Sequence, residues 1–437
     1  MKRSIWKENS TLPQFKACEG ELTTDILIIG GGLAGILTAY LLQKNGANYI
    51  LVEGERICGA TTGNTTAKIT SQHGFIYGKL LDSKGRDYAK AYLNVNEKAV
   101  KMYREICGNI DCDFEEKDNF VYSVSDKEKL EKELNALNSI NYNAELVENL
   151  PIPIKTVGAV KFKNQAQFNP LKFVAEISKG LNIYENTYIR KIKSTTAFFD
   201  NGKIKSQKII IATHFPFINR HGSYFLKLYQ HRSYCLALEN AQDVGGMYVD
   251  EAETGFSFRN YGNHLILGGG DHRTGKKGGN WHVLEDLANK NYPNSSVKYM
   301  WSAQDCKSLD DVPYIGNYSA LTPNLYVATG FNKWGMSSSM VSAMILSDLV
   351  TGKQNEYAEI FSPSRSILKP QLLVNGAEAV SHLINFSTKR CSHMGCALKW
   401  NPVEHTWDCP CHGSRYTSSG KVLENPAMHN KNLSRPE

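Results

Sequence analysis

The sequence predicts an α/β nucleotide-binding fold with an inserted mixed β-sheet, followed by a small, shortened β-type domain. Three stretches of the 437 residues carry this prediction. TDILIIGGGLAGILTAYLLQKNGANYILVEGE, ending at Glu55, reads as strand, glycine turn, helix and strand. NLYVATGFNKWGMSSSMVSAMILSDLVTG, from Asn324 to Gly352, repeats strand, turn and helix. Near the C-terminus CSHMGC (Cys391 to Cys396) and CPCHGSRY (Cys409 to Tyr416) form two Cys/His boxes. The length accommodates two or three domains with their own cores.

Ile26 to Ile29 is a short apolar run suited to a central parallel strand. Gly30, Gly32 and Gly35 form GxGxxG, with Leu33 and Ala34 between the last two. Ile36 to Lys44 continues as a helix, and Tyr49 to Val52 is the next strand. Glu53 follows at its end, eighteen residues beyond Gly35. Glycines let the backbone approach a pyrophosphate, and the helix N-terminus stabilises its charge. An acid at Glu53 accepts hydrogen bonds from a ribose. This Rossmann-type pattern alone does not separate FAD from NAD.

The next segment separates them. GATTGNTTAKITSQHG, Gly59 to Gly74, resembles the flavin-contacting segment of the D-amino-acid oxidase and glycine oxidase superfamily of FAD-dependent oxidoreductases. By that resemblance Thr61, Thr62, Asn64, Thr65 and Thr66 hydrogen-bond phosphate and ribitol oxygens. Lys68 and His73 are either flavin contacts or solvated loop side chains. The run from Asn324 is the second strong match, and it implies flavin contacts at Gly330, Trp334, Gly335 and Met336. Leu325 to Ala328 is expected as a strand and Ser337 to Val350 as a helix, whose N-terminus favours the negative charge of a reduced flavin. The resemblance covers about residues 20–352.

Between these motifs, Lys79 to Leu137 shows helical spacing and predicts scaffold helices. Strands are expected at Ala144–Val147, Ala159–Phe162 and Ile189–Ile192, and a Pro-started helix after Phe168. KIIIATHFP, from Lys208, reads as an apolar strand, and the superfamily resemblance implies that it returns to the nucleotide domain. HRSYCLALE, GMYVDE and GFSFRNYGNHLILGGG predict the mixed sheet that builds the substrate pocket. Where several amino-acid oxidases carry a carboxylate-gripping Arg, this chain has Asp305, which favours an ammonium or another cation. Cys306 has the wrong spacing for a flavin-linking Cys and reads as a packed thiol.

Each box near the C-terminus offers one Cys and one His, Cys391 with His393 and Cys409 with His412. Two thiolates and two imidazoles suffice for a tetrahedral zinc. A zinc site, however, has no use for the second Cys of each box or for Gly395, Gly413 and Ser414. The constellation resembles the Rieske family, whose [2Fe–2S] cluster has Cys on one iron and His on the other. That resemblance implies Cys391 and Cys409 on one iron, His393 and His412 on the other, and Cys396 paired with Cys411 as a disulfide. It also implies that Ser414 and Tyr416 donate hydrogen bonds to a cluster sulfide and a ligand sulfur, which stabilises the extra electron. Ahead of the boxes, SPSRS reads as linker, KPQLLV as a strand and GAEAVSHLINF as a short helix. Trp400 and Trp407 are expected beneath the loops.

The expected organisation is an oxidoreductase part over 1–352, a linker over 353–380 and a cluster domain over 381–437. Nucleotide-binding parts lie at about 20–75, 205–220 and 310–352. The net charge of +7 contains no run of five Lys or Arg, so nucleic acid is not an expected partner. Ile26 to Leu42 is uncharged, yet it is shorter than the roughly 20 residues of a spanning helix and contains three consecutive glycines. Glu8, Glu19 and Glu21 break any signal-peptide pattern, so a cytoplasmic location is expected. Six cysteines lie outside the boxes and read as reduced, buried thiols; among them Cys107 and Cys112 lack nearby His partners.

Flavin takes a hydride and a Rieske cluster takes one electron at a time. The expected function is therefore oxidation of a small amine, amino acid or related substrate at FAD, with single electrons passed through the cluster to an external acceptor. A dehydrogenase is favoured over an oxidase. A reductase running in the opposite direction, or an electron-transfer or redox-sensing protein, is the alternative. No residue stands out as a catalytic base.

Overall fold

The computed structural model describes residues 3–219, 221–385, 387 and 389–434. Its nucleotide-binding sheet has six strands in the order Tyr314–Asn317, Leu325–Thr329, Lys208–Ile211, Ile26–Ile29, Tyr49–Val52 and Ile183–Tyr184. The first pair is antiparallel and the others are parallel. Ile26–Ile29, Tyr49–Val52 and Leu325–Thr329 are buried at every residue, which is why they are apolar without alternation. Helices Leu33–Lys44 and Gly335–Val350 pack against each other. Both begin two or three residues earlier than the apolar periodicity suggested, because residues of the glycine turns form their first turns.

The inserted sheet is nine-stranded and mixed. One edge runs Ser296–Ser308, Leu228–Glu239, His264–Arg273, Ser257–Tyr261, and these neighbours are antiparallel. Scaffold helices Ile76–Lys84, Arg86–Cys107 and Lys127–Ser139 occupy most of the segment expected to be helical, but Glu115–Ser123 within it is a strand of the inserted sheet, paired with Gly158–Gln167 and Met247–Asp250. Cys107 and Cys112 are buried and unlinked.

The C-terminal part is a four-stranded antiparallel sheet of three-residue strands, Lys399–Asn401, Thr406–Asp408, Arg415–Thr417 and Val422–Glu424. Trp400 and Trp407 pack together with ring centroids 5.2 Å apart. The strand expected at KPQLLV is instead part of a helix, Pro370–Leu383. Proline occupies its first turn, where no N–H is needed, and six apolar-rich residues are too few to tell the two periods apart. The SPSRS segment is bolted down: Arg365 forms a two-pronged pair with Asp310, at 2.9 and 2.7 Å, and lies over the Tyr314 ring.

A charged lock joins this small sheet to the inserted one. Arg232, 1% exposed, pairs with Glu404 and with Glu424, and Arg415 pairs with Glu404, Glu424 and Asp408. Burial pushes the Glu404 carboxyl up, but Arg232 and Arg415 outweigh it and hold it at about 2. Because that value lies below the unfolded-state value of about 4.3, the stabilisation is present above pH ~4.3 and lost as pH falls towards 2. Glu404→Ala leaves two buried guanidinium groups short of a partner. Denaturant unfolding should show a loss of about 3–5 kcal/mol, and the wild-type interface should loosen in that acid window.

Candidate flavin and cluster sites

Each glycine of the first turn has its own role. Gly30 adopts φ +115°, and a Cβ there would lie 2.5 Å from the Ala212 carbonyl oxygen. A Cβ on Gly35 would lie 2.0 Å from the Gly30 oxygen, so only glycine lets helix and strand approach. Above Gly32 the nearest atom to such a Cβ is Thr62 Oγ1 at 3.6 Å, which leaves room for a pyrophosphate. Thr62 Oγ1 accepts from the Leu33 amide at 3.1 Å, at the same helix N-terminus. Glu53 accepts from the amides of Gly31 (2.7 Å) and Glu55 (3.0 Å), and burial raises its carboxyl above the ordinary range.

These residues open onto a cavity of about 930 Å³ that also takes in Thr61, Asn64, Thr65, Thr66, Gly330, Trp334, Gly335 and Met336. The loop around Gly63 is held from outside. Trp6 Nε1 donates to Thr65 O at 2.7 Å, Trp301 Nε1 to Asn64 O at 2.9 Å, and Arg259 to Thr66 O and Ala67 O at 2.9 and 2.7 Å. Several hydroxyls of the loop already have protein partners. Thr61 donates to Gln304 O (3.1 Å), and Thr65 accepts from the Ala67 amide (3.0 Å).

At the other end of the cavity, His73 stacks on Trp334 with ring centroids 5.1 Å apart. Its nitrogens bond Tyr92 Oη (2.7 Å) and Ser337 Oγ (2.8 Å), and burial lowers its pKa to about 3, so the ring is neutral. Lys68 is also buried rather than solvated, at a pKa lowered by burial to about 7. Asn332 and Lys333 follow Gly330 with φ of +53° and +72°, two strained residues in succession. Lys333 pairs with Asp271 at 2.7 Å. The Asp305 carboxylate lines the cavity with no hydrogen bond or ion pair among the described residues. Burial raises its pKa to about 6, against the opposing field of Lys333. Cys306, the next residue, is packed near Thr329 Oγ1 at 3.7 Å.

In the small domain Cys396 and Cys411 are disulfide-linked, and Cys391 and Cys409 remain free and buried. Tyr416 Oη lies 3.3 Å from Cys391 Sγ. Ser414 Oγ accepts from the Ala427 amide at 3.0 Å, so its own proton is available for another acceptor. The rings of His393 and His412 stand perpendicular, with centroids 4.9 Å apart. Their Nδ1 atoms are buried without a hydrogen-bond partner. Burial lowers both imidazoles, to about 4 and about 3, and leaves them neutral as metal ligands must be. Two orphaned Nδ1 atoms beside two free thiols fit a cluster with one iron on sulfur and one on nitrogen.

A model of the FAD-dependent oxidoreductase family matches residues 25–349, and a model of the Rieske [2Fe–2S] domain matches residues 365–434. The chain belongs to the FAD-dependent oxidoreductase family. Its C-terminal part is a Rieske domain, so it binds FAD and a [2Fe–2S] cluster. It is 35% identical over 488 aligned residues to the Bacillus subtilis (strain 168) chain YhfW, a Rieske 2Fe-2S iron-sulfur protein by its name; the alignment covers 97% of this chain and 96% of that one. Among solved structures, glycine oxidase from Geobacillus kaustophilus aligns at TM-score 0.67 and 17% identity, over 79% of this chain and 100% of that one. L-proline dehydrogenase from P. horikoshii aligns at 0.66 and 17%, over 79% and 98%. At that identity the likeness is one of fold.

In this oxidoreductase, the two cofactor regions lie on opposite faces of one sheet. Along the paired strands Leu228–Glu239 and Ser296–Ser308, Ser233 stands opposite Ala303 and His231 opposite Asp305. Ser233, Ala303 and Asp305 line the flavin cavity. The alternate residues Gln230, Arg232 and Gln304 meet the Rieske domain instead. Gln230 donates to His412 O (2.7 Å), and Gln304 donates to Gly413 O (2.8 Å) and to Gln230 Oε1 (2.8 Å). The Gln304 carbonyl receives Thr61 Oγ1, so a single residue touches both the cluster loop and the flavin loop. Gly413, at φ +80°, is forced by the Gln230 side chain, which a Cβ would meet at 2.6 Å.

Sequence reasoning missed Gln230, Gln304, Arg232 and the cavity-lining residues of the Rieske domain, among them Val422, Asn425 and Met428. Gln230 and Arg232 did leave a signal, as part of the polar run Gln230 to Ser233 near the start of an otherwise apolar strand. We expect Gly32→Val to fill the pyrophosphate space and abolish the bound flavin spectrum while leaving the Rieske electron paramagnetic resonance (EPR) signal. His412→Ala should do the reverse.

Proposed function

We propose that this flavoprotein is a dehydrogenase that oxidises a small amine or amino-acid substrate at FAD and delivers the electrons singly, through the Rieske cluster, to an external acceptor. The observation that carries this reading is the sheet with a cofactor region on each face, bridged by Gln304. When bound, FAD supplies a hydride acceptor and the cluster a one-electron carrier. The glycine oxidase and L-proline dehydrogenase of similar fold support an amine centre.

In this reading Gly30, Gly32 and Gly35 admit the pyrophosphate at the helix opened by Leu33 and Ala34, and Glu53 takes the ribose. Thr61, Thr62, Asn64, Thr65 and Thr66 line the phosphate and ribitol stretch. Gly330, Trp334, Gly335 and Met336 border the ring. Cys391, Cys409, His393 and His412 are the cluster ligands, and Ser414 and Tyr416 are donors to the cluster and its sulfur. Asp305 anchors a cationic nitrogen, since its carboxylate lines the cavity with neither an ion pair nor a hydrogen bond among the described residues, whereas Asp271 is held by Lys333.

Anaerobic addition of candidate amines and amino acids tests the proposal. One of them should bleach the flavin absorbance, after which a reduced Rieske signal should grow in EPR. If none does while dithionite reduces both centres, the dehydrogenase reading fails. Asp305 is neutral below its pKa of about 6 and anionic above it. Binding of an amine that stays protonated throughout should therefore strengthen as pH rises through about 6. Asp305→Asn should flatten that dependence and weaken binding roughly tenfold, the effect of losing about 1.4 kcal/mol.

A further inference from the structure

Helix Pro370–Leu383 is inverted with respect to an ordinary surface helix. Its polar side chains face the protein: Asn375 accepts from Arg273 at 3.0 Å, Glu378 pairs with Lys276 at 2.7 Å, and His382 is 8% exposed. Its apolar side chains face outward. Leu373 is 77% exposed, Val380 59% and Ile384, just past the helix, 70%. With Ala377 they recur at i, i+4, i+7 and i+11, which is one face of a helix. Leu368 and Val374 widen the stripe.

The stripe is continuous with the cluster loop. Arg390 donates to the Leu383 and Gly395 carbonyls at 3.0 Å each, which joins the end of the helix to the loop that carries Cys391 and His393. Met394 in that loop is itself exposed. The surrounding charge has one sign. From residue 366 to residue 403, Glu378 is the single acid against Lys369, Lys389, Arg390 and Lys399. That acid is turned inward. Lys369 stands just before the helix, and Lys389 and Arg390 follow it.

We propose that this helix lies on an anionic lipid surface, apolar stripe inward and cations at the headgroups, which brings the cluster loop to the membrane. An interfacial helix needs an apolar face bordered by Lys or Arg, and it need not span. None of the described helices is long and apolar enough to cross a membrane. A second copy of the chain fits less well. Antiparallel pairing over the stripe would set Lys369 against Lys389 and Arg390, and parallel pairing would set each against itself. The proposal is independent of the reaction assigned above.

The test is flotation of the full-length, cofactor-loaded protein with vesicles of phosphatidylcholine alone and of phosphatidylcholine mixed with phosphatidylglycerol. The protein should float with the mixed vesicles, less so at high salt. Leu373→Glu with Val380→Glu should reduce the floated fraction roughly tenfold or more, with the flavin and cluster spectra intact. Leu146→Glu, an exposed leucine on the inserted sheet, should float like the wild type. No flotation with either vesicle, or flotation unchanged in the double variant, overturns the proposal. So does a dimer in light scattering that the double variant splits, which would assign the stripe to a second copy.

Discussion

The side-chain alternation of two paired strands, Leu228–Glu239 and Ser296–Ser308, is the constraint on which the architecture rests. Because successive residues of a strand point to opposite faces, one pair of strands supplies a wall to the flavin cavity and a docking surface to the Rieske domain. The division is clean from Gln230 to Ser233 and from Ala303 to Asp305. A one-residue slip in register would turn Asp305 towards the Rieske domain and Gln304 into the cavity. The register is therefore a functional property as well as a structural one.

Docking across this wall is made of a connected network of polar contacts. Gln304 uses both amide protons, on Gly413 O and Gln230 Oε1, and its Oε1 accepts from Thr274 Oγ1. Arg232 and Arg415 share Glu404 and Glu424 between them. Buried polar networks of this kind fix one arrangement, since any other leaves charges unpaired. The cluster domain needs such an anchor, because its own sheet consists of three-residue strands and offers little apolar area. The docked domain also walls the dinucleotide cavity: Tyr188, which packs on Gly54, donates to Met428 Sδ at 3.2 Å.

The cavity itself is charged in pairs, Lys333 with Asp271 and Lys307 with Glu253. Asp305 stands apart from these pairs. A carboxylate in that state costs desolvation energy that a cationic ligand offsets. In the proposed function this is why the site takes a ligand of the opposite charge to the carboxylate recognised by an arginine.

What the sequence by itself determined were the features written in local spacing. GxGxxG ahead of a helix, the hydroxyl-rich loop after Glu53, the turn before Gly335 and the two Cys/His boxes each need only a few consecutive residues to define their chemistry. Periodicity found the fully buried strands, and it failed at KPQLLV, where six residues carry no distinguishable period. Only the tertiary structure decided which side chains meet across the chain. Gln230 and Gln304 lie 182 and 109 residues from the His412 and Gly413 carbonyls they hold. No local pattern encodes such a contact, because it depends on strand register and on two domains closing over one sheet. The outward apolar stripe of Pro370–Leu383 belongs to the same class. Its amphipathicity was legible in the sequence, but which face meets the protein is set by Arg273 and Lys276, whose partners on the helix only the fold reveals.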